Sequence, residues 1–171
     1  MISAIVAIDN NYGIGYKNGL LCHIKEDLKH FKEVTSKNIV IMGRKTWDSL
    51  PKKPLSNRIN IVITNNKDLS YYDPYTKFVS LDKVKFLLKE LGEKHNFYII
   101  GGSQIYEELL PYCEYIHVTR IYKSFDNVDT YFPELKDEEW DMLDADELKK
   151  QDDINYQFCL YKRKVLEDIN E

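Results

Sequence analysis

The chain has 171 residues, a length that fits one domain and is enough to bury a core without disulfide or metal support. Its content of 43% hydrophobic and 30% charged residues excludes a largely disordered chain, and its few glycines and prolines exclude collagen-like and low-complexity classes. A net charge of −4 gives no support for a broad nucleic-acid surface. We expect one domain over residues 1–165 and a frayed tail over residues 166–171.

The cysteines and the opening segment bear on location. Cys22, Cys113 and Cys159 are odd in number and form no CxxC pair, which favours reduced thiols in a cytoplasm and argues against a zinc site. The apolar residues 2–8 are too few to span a bilayer and end at Asp9. We therefore expect a cytoplasmic protein with no metal, no membrane contact and no nucleic-acid partner. A monomer is the default, because no large apolar face is marked.

Short apolar runs alternate with helical spacing along the chain. Runs rich in β-branched residues, typical of strands covered on both faces, occupy 2–8, 38–42, 59–64 and 97–100. Helical spacing is found over 25–34, 81–91 and 103–110. Longer, more alternating segments predict antiparallel strands over 115–122 and 155–164, and the acidic stretch 134–153 predicts exposed loops and turns. This order predicts an α/β fold.

The first strand is followed by a long connection, residues 9–24. Its glycines at 13, 15 and 19 permit bends and a close approach to a ligand. A connection of this length without structure of its own is uncommon and is often a lid. An ordinary surface loop is an equal alternative at this point.

The next helix carries an acidic residue close to its apolar face. Ile24, Leu28 and Phe31 form the stripe, and Asp27 lies at its edge, where a carboxylate is partly desolvated. Such a group is a candidate for a perturbed pKa and for function. The plainer alternative is a first-turn acid that helps the helix to start.

Three strand ends carry residues suited to phosphate. Gly43, Arg44, Lys45 and Thr46 follow the strand at 38–42, Thr64 and Asn65 follow the next one, and Gly101 and Gly102 follow the strand at 97–100. Each could be an ordinary turn. Because ligands of open α/β sheets bind at the carboxyl ends of strands, together they indicate one elongated anionic ligand across the sheet edge. The two cations favour NADP over NAD.

Six sets of residues, in this order and spacing, resemble dihydrofolate reductases, the bacterial members most. They are Ile14-Gly15 with Asn18-Gly19, Asp27-Leu28 with Phe31-Lys32, residues 41–47, Leu55 with Arg58, residues 100–102 with Ile105-Tyr106, and residues 130–133. The resemblance covers almost the whole chain. It implies a three-layer α/β fold with a mostly parallel eight-stranded central sheet, flanking helices and an antiparallel C-terminal strand.

The same resemblance implies NADPH-dependent reduction of 7,8-dihydrofolate to tetrahydrofolate for one-carbon metabolism, and sensitivity to antifolate inhibitors. Asp27 matches the catalytic carboxylate that holds the pterin, and Thr119 matches the hydroxyl that supports it. The other implied substrate residues are Ile5, Ala7, Leu28, Phe31, Leu50, Arg58 and Ile100. The implied cofactor residues are Ala7, Ile14, Gly43, Arg44, Lys45, Thr46, Thr64, Asn65, Gly101, Gly102, Ser103, Gln104, Ile105 and Tyr106, with a cis peptide bond between the paired glycines.

The chain departs from the family pattern at the end of the predicted lid. Leu21-Cys22 stands where members usually carry Pro-Trp, so the indole N–H that anchors an ordered water is missing. Two other functions therefore stay open: a catalytically weak or silent NADP-binding module, and a pyrimidinone reductase on the same fold. Asp27, Thr119 and Arg58 argue against the latter.

Overall fold

The structure, a computed structural model, describes residues 1–66 and 73–165. The tail predicted over 166–171 lies outside the described residues.

Strands and helices alternate through the first two thirds of the chain, and strands follow. The strands are β1 (Ile2–Ile8), β2 (Gly13–Tyr16), β3 (Gly19–Leu20), β4 (Ile39–Gly43), β5 (Ile59–Ile63), β6 (Thr76–Val79), β7 (Phe97–Gly101), β8 (Tyr115–Ile121), β9 (Thr130–Tyr131), β10 (Trp140–Ala145), β11 (Lys149–Gln151) and β12 (Ile154–Arg163). The helices are α1 (Lys25–Thr35), α2 (Arg44–Ser49), α3 (Leu81–Leu91) and α4 (Ser103–Leu109), and a 3-10 turn, Leu110–Tyr112, follows α4.

Eight strands form the central sheet in the order β10-β12-β8-β1-β7-β4-β5-β6, and the short β11 pairs with β12 beside this row. The neighbours from β8 to β6 are all parallel, whereas β12 runs antiparallel to both β8 and β10. The predicted fold class, with its mostly parallel sheet and antiparallel C-terminal strand, is confirmed.

Alternate side chains of the central strands feed two different cores. Along β7, Phe97 and Ile99 belong to one apolar cluster and Tyr98 to another. Helices α3 and α4 contribute Val84 and Leu109 to the first cluster, whereas α2 contributes Trp47 to the second. Because helices cover both faces, the central strands are apolar almost throughout, and the molecule has three layers.

Three local predictions are corrected by the structure. The connection 9–24 contains a hairpin, β2 and β3, which turns at Lys17 and Asn18 with positive φ at both residues and joins β9 in a small separate sheet. A two-residue turn of this kind matches the natural twist of a hairpin. The acidic stretch 134–153 contains β10 and β11, and the predicted loops and turns are found only at 134–139, 146–148 and 152–153. Its acidic side chains are compatible with an edge strand because β10 is exposed beyond Trp140.

Strand β8 was predicted to be antiparallel, and it is parallel to β1 and antiparallel only to β12. Its alternating sequence reflects the less complete cover of this end of the sheet. Strand β6 was not predicted, because its four residues, TKFV, carry little pattern. No helix in the described ranges has the length and apolar character needed to cross a bilayer.

Candidate active site

Residues from five parallel strands or their exits meet at one edge of the central sheet. Ala7 in β1 pairs in register with Thr119 in β8, and the exits of β7, β4 and β5 follow at Gly101, Gly43 and Thr64. Parallel neighbours place their carboxyl ends on the same side. The structure therefore brings these five predicted residues to the same edge of the sheet.

Asp27 lies in the first turn of α1 and faces the end of β8. Its Oδ1 accepts a hydrogen bond of 2.6 Å from the Thr119 hydroxyl, whose residue is only 3% exposed. Burial raises the pKa of the Asp27 carboxyl above its ordinary value, and the Thr119 hydrogen bond and nearby His30 oppose that shift. The predicted desolvation of this carboxylate is confirmed, and its catalytic role stays a prediction.

The start of α1 is held by a residue that the sequence did not single out. The capping position is Ile24, whose side chain has no oxygen to offer the free N–H groups of the first turn. Gln151 of β11 supplies the missing hydrogen bonds. Its Oε1 accepts a hydrogen bond from the Lys25 N–H, and its Nε2 donates one to the His23 carbonyl, each at 2.9 Å. The distant hairpin thus fixes the turn that carries Asp27.

The surroundings of the carboxylate are largely apolar. Phe31, Leu50 and Ile100 pack with Ile5 in one cluster on the α1 side of the sheet. Leu28, which was predicted as part of the apolar stripe, is 47% exposed and stands apart from this cluster. Its side chain is available to a ligand that fills the cleft beside α1.

Arg58 is a buried cation without a carboxylate partner in the described part of the chain. The residue is 8% exposed; its Nη1 donates to the Thr35 hydroxyl at 3.0 Å and its Nε to the Ser56 carbonyl at 2.9 Å. The guanidinium also lies over the Phe31 ring, 5.7 Å from its centroid. Burial lowers the pKa of Arg58. A guanidinium held in this way is suited to receive a ligand carboxylate.

The paired glycines form the floor of the other half of the cleft. The Gly101–Gly102 peptide bond is cis, as predicted, and Gly101 has a φ of +124°. An added Cβ on Gly102 would meet, among the described residues, only the Thr46 hydroxyl at 3.5 Å. The backbone is therefore open to a ligand at this point, with one hydroxyl beside it.

Tyr106 takes a structural position rather than an open one. The residue is 4% exposed, and its hydroxyl donates to the Ile5 carbonyl at 2.7 Å. Since a carbonyl oxygen has two lone pairs, Ile5 keeps one for a ligand. Tyr106 therefore orients the carbonyl of Ile5, one of the residues expected to bind the substrate.

The cations expected to bind phosphate differ in their surroundings. The Arg44 Nε forms an ion pair with Asp48 Oδ1 at 3.0 Å, and both side chains are substantially exposed. Lys45 and Asn65 are exposed, and so is Gln104 in α4. Asp48 was not predicted, although its i, i+4 spacing from Arg44 on a helix is the signal for such a pair.

Cys22 lies within electrostatic range of Asp27. It is partly buried and packs near Ala7 against a small cluster around Ile24. Burial raises the pKa of the Cys22 thiol, and the charge of Asp27 raises it further. The other two cysteines are 1% and 5% exposed, so Cys22 is the most accessible thiol of the three.

We expect a thiol reagent to label Cys22 first in the native protein. Because its pKa is raised, labelling should be slow at neutral pH and faster in alkaline solution. Saturating NADPH plus substrate should slow it at least several-fold, measured by mass spectrometry of the labelled peptide. The Cys22→Ser variant is the control and should remain unlabelled over the same period. Equal labelling rates with and without ligands would remove Cys22 from the pocket.

Polar groups at the carboxyl edge of a parallel sheet, with apolar side chains between them, define the class of α/β proteins that bind their ligands at that edge. Comparison with known proteins narrows the class. The sequence profile of the family described as "Dihydrofolate reductase" matches residues 1–163. A dihydrofolate reductase of Bacillus subtilis is 37% identical over 166 residues, with 96% of this chain and 95% of the relative covered.

Relatives outside the bacilli are similar to a comparable degree. A dihydrofolate reductase of Buchnera aphidicola is 40% identical over 136 residues, covering 79% of this chain and 80% of the relative. One of Rattus norvegicus is 35% identical over 184 residues, covering 95% and 97%. The chain belongs to the dihydrofolate reductase family and is thus an enzyme of the oxidoreductase class.

Proposed function

We propose that the enzyme reduces 7,8-dihydrofolate to 5,6,7,8-tetrahydrofolate with NADPH. The observation that carries this proposal is the half-buried Asp27 carboxylate held by the Thr119 hydroxyl at the edge of the sheet. A carboxylate with a raised pKa in an apolar cleft favours a ligand that brings a proton or a positive charge to it. The pterin ring offers both at its N3 and 2-amino edge.

Helix α1 connects the two proposed ends of the substrate site, Asp27 and Arg58. Asp27 lies in its first turn, and Thr35, the hydrogen-bond partner of Arg58, is its last residue. At 1.5 Å of rise per residue, the eight steps between them span about 12 Å. A ligand with a cationic head and a carboxylate tail can therefore bind along this helix. We propose that Arg58 pairs with the glutamate α-carboxylate and that Leu28, Phe31 and Leu50 line the wall between the two ends.

The residues around the paired glycines fit a dinucleotide. Gly102 has open space where a side chain would stand, and Gly101 provides a backbone conformation that other residues rarely adopt. The N–H groups at the beginning of α2 lie beside Arg44, Lys45 and Thr46 and are suited to phosphate oxygens. We propose that this half of the cleft, with Ser103, Gln104, Ile105, Thr64 and Asn65, holds NADPH.

When bound, NADPH supplies a hydride from C4 of its nicotinamide to C6 of the pterin. The chain's own part is to align the rings and to exclude water from the reacting atoms, which the apolar side chains at Ile5, Ile14 and Ile100 can do. Alignment of this kind turns a bimolecular step into an effectively unimolecular one. Ala7, at the carboxyl end of β1, is the proposed neighbour of both rings.

Asp27 promotes protonation of the substrate at N5. A carboxylate that grips the N3 edge cannot itself reach N5, so the proton is proposed to arrive through water. The negative charge of Asp27 raises the proton affinity of the bound pterin and stabilises its cationic form. Thr119 keeps the carboxylate turned toward the ring by donating its hydroxyl proton to Oδ1.

The decisive assay is the loss of absorbance near 340 nm when NADPH and dihydrofolate are mixed with the enzyme. Turnover supports the proposal. Binding of NADPH without turnover would favour the silent module, and turnover with a pyrimidinone substrate in place of dihydrofolate would favour the alternative reductase. A preparation that binds neither ligand would contradict all three.

Arg44→Ala should weaken the binding of NADPH much more than the binding of NADH. The Kd for NADPH should rise on the order of tenfold, because a hydrogen bond between ions contributes about 1.5–3 kcal/mol. Since Arg44 forms an ion pair with Asp48, Asp48→Ala is a matched control that keeps the cation. It should not weaken NADPH. Titration of wild type and both variants with each nucleotide, followed by protein fluorescence, gives the six Kd values. An equal loss for NADPH and NADH in Arg44→Ala would contradict the phosphate assignment.

Several wider features form part of the same proposal. The product would supply one-carbon metabolism, and antifolates would compete at the Asp27 end of the cleft. Three free thiols support a cytoplasmic location. We further propose that residues 1–165 act as one domain and as a monomer.

A further inference from the structure

Asp9 is a buried acidic residue that has no part in the chemistry proposed above. It follows β1 directly and is 3% exposed. Its Oδ1 accepts hydrogen bonds from the Asn11 N–H at 2.9 Å and the Gly13 N–H at 2.8 Å, and its Oδ2 accepts one from the Phe125 N–H at 3.2 Å. The three donors belong to two segments more than 100 residues apart.

Burying a carboxylate is costly unless hydrogen bonds or an opposite charge compensate for the lost water. In the part of the chain that the structure describes, Asp9 forms no ion pair, so main-chain N–H groups carry the whole compensation. Each N–H that moved away would leave the charge less satisfied. The carboxylate therefore stabilises the arrangement in which both segments point their N–H groups at it.

Packing at Gly13 shows how closely the two segments meet around this carboxylate. A Cβ added to Gly13 would lie 2.9 Å from Asp9 Oδ1 and 2.8 Å from Val128 Cγ1. The N–H of Asn10 also donates to the Lys123 carbonyl at 3.0 Å. A side chain at position 13 would therefore force Asp9 or Val128 to shift.

The position of Asp9 links this arrangement to the cofactor half of the cleft. Ala7 lies two residues before it in β1, and Ile14 follows Gly13, whose N–H Asp9 holds. Ile14 is half-buried against the larger apolar cluster. A shift of Gly13 would therefore move Ile14 directly.

We propose that Asp9 is a positioning residue: it joins residues 10–16 to residues 122–129 and so fixes Ile14 for the nicotinamide end of NADPH. This inference rests on the proposed function, because it takes Ala7 and Ile14 as neighbours of the cofactor. It assigns Asp9 no contact with either ligand. The effect of its loss should consequently fall on cofactor binding and spare the pterin subsite.

Asp9→Asn is the sharpest variant because it keeps the shape and replaces one acceptor oxygen by an NH₂ group. That group must face either the Phe125 N–H or the Asn11 and Gly13 N–H groups, so donors oppose donors. Asp9→Ala removes all three bonds. Asp126→Asn is the matched control, since Asp126 is an exposed carboxylate in the same segment for which the described residues show no ion pair.

The measurements are the Kd values for NADPH and, without cofactor, for an antifolate. We expect Asp9→Asn and Asp9→Ala to raise the Kd for NADPH about tenfold or more, because NADPH must then bind to residues 10–16 that hydrogen bonds to a charged group no longer hold in place, and to change the antifolate Kd less than twofold. Asp126→Asn should change neither. An unchanged Kd for NADPH, or an equal loss for both ligands, would overturn the inference.

Two further results keep the test decisive. If neither Asp9 variant folds, hydrogen exchange of the wild-type protein replaces them: the Gly13 and Phe125 N–H groups should gain protection together when NADPH binds, and independent changes would contradict the proposal. Wild-type protein that fails to bind NADPH would instead defeat the proposed function. Normal binding that is insensitive to Asp9 would defeat this inference alone.

Discussion

Asp27→Asn is expected to lower the rate of hydride transfer at neutral pH by about 100-fold or more, the range over which general acid–base groups contribute. The variant is nearly isosteric, and its amide oxygen can still accept the Thr119 hydrogen bond. What it lacks is the negative charge that favours a protonated pterin. Single-turnover measurements of NADPH oxidation give the rate without interference from product release.

The pH dependence distinguishes this role from a general loss of structure. On acidification, the rate of Asp27→Asn should partly recover, because a larger fraction of the substrate is then protonated before it binds. A Ser→Ala change at the exposed Ser49 of α2 serves as the control and should leave the pH profile unaltered. Unchanged turnover in Asp27→Asn at neutral pH would eliminate Asp27 from its role.

The same variant, which should lower activity, is expected to raise the stability of the protein at neutral pH. Because burial raises the folded-state pKa of Asp27, the native state binds more protons than the unfolded state between the two pKa values. Stability therefore falls as pH rises from the unfolded pKa through the folded one. Ligand-free Asp27→Asn, which does not titrate, should have a higher Tm than wild type at neutral pH, and acidification should reduce the difference. A lower Tm at neutral pH would contradict the desolvation argument.

The second large effect is expected at Arg58. Arg58→Ala should weaken a folate ligand that carries the glutamate α-carboxylate by about 30-fold or more, because losing one partner of a buried charge pair costs at least about 2 kcal/mol. A ligand with the pterin ring alone should bind both proteins equally. Fluorescence titration with the two ligands yields the comparison.

Two further variants, Lys32→Ala and Arg58→Lys, serve as controls for Arg58→Ala. Lys32→Ala removes an exposed charge from α1, the helix whose Thr35 holds Arg58, and should change folate affinity little. Arg58→Lys keeps a charge and loses the planar fork, so it should recover only part of the affinity. Equal weakening of both ligands by Arg58→Ala would show that the guanidinium supports the cleft in general and does not bind the carboxylate.

The parallel part of the fold was predictable because burial on both faces leaves a strong pattern. Residues 38–42 and 97–100 are short apolar runs, and each became a central strand within one residue of its predicted ends. The edge of the sheet follows a weaker rule. Strand β10 buries little beyond Trp140, so its acidic sequence is that of a loop, and its pairing with β12 decides its conformation.

The candidate site also contains some residues that the sequence could predict and others that it could not. Asp27 could be proposed from its place on the helix, and its link to Thr119 came only from the resemblance, since no local pattern joins residues 92 positions apart. Asp9 and Gln151 were missed altogether. At the start of α1, Gln151 bonds to backbone groups more than 100 residues distant, and Asp9 bonds to the distant Phe125 N–H besides two nearby ones. An isolated Asp or Gln gives no sign of such a long-range contact.

The hydrogen bonds between Gln151 and the start of α1 have a consequence for how variants of this protein are assessed. All side chains proposed to touch a ligand lie between Ile5 and Thr119, yet the turn that carries Asp27 is held by an amide in the last hairpin. A survey of drug resistance that sequences only the pocket would overlook this hairpin. Selection experiments with antifolates should therefore include codons 146–158. Substitution of Gln151 in this segment can move the turn that carries Asp27 without altering any residue that contacts the drug.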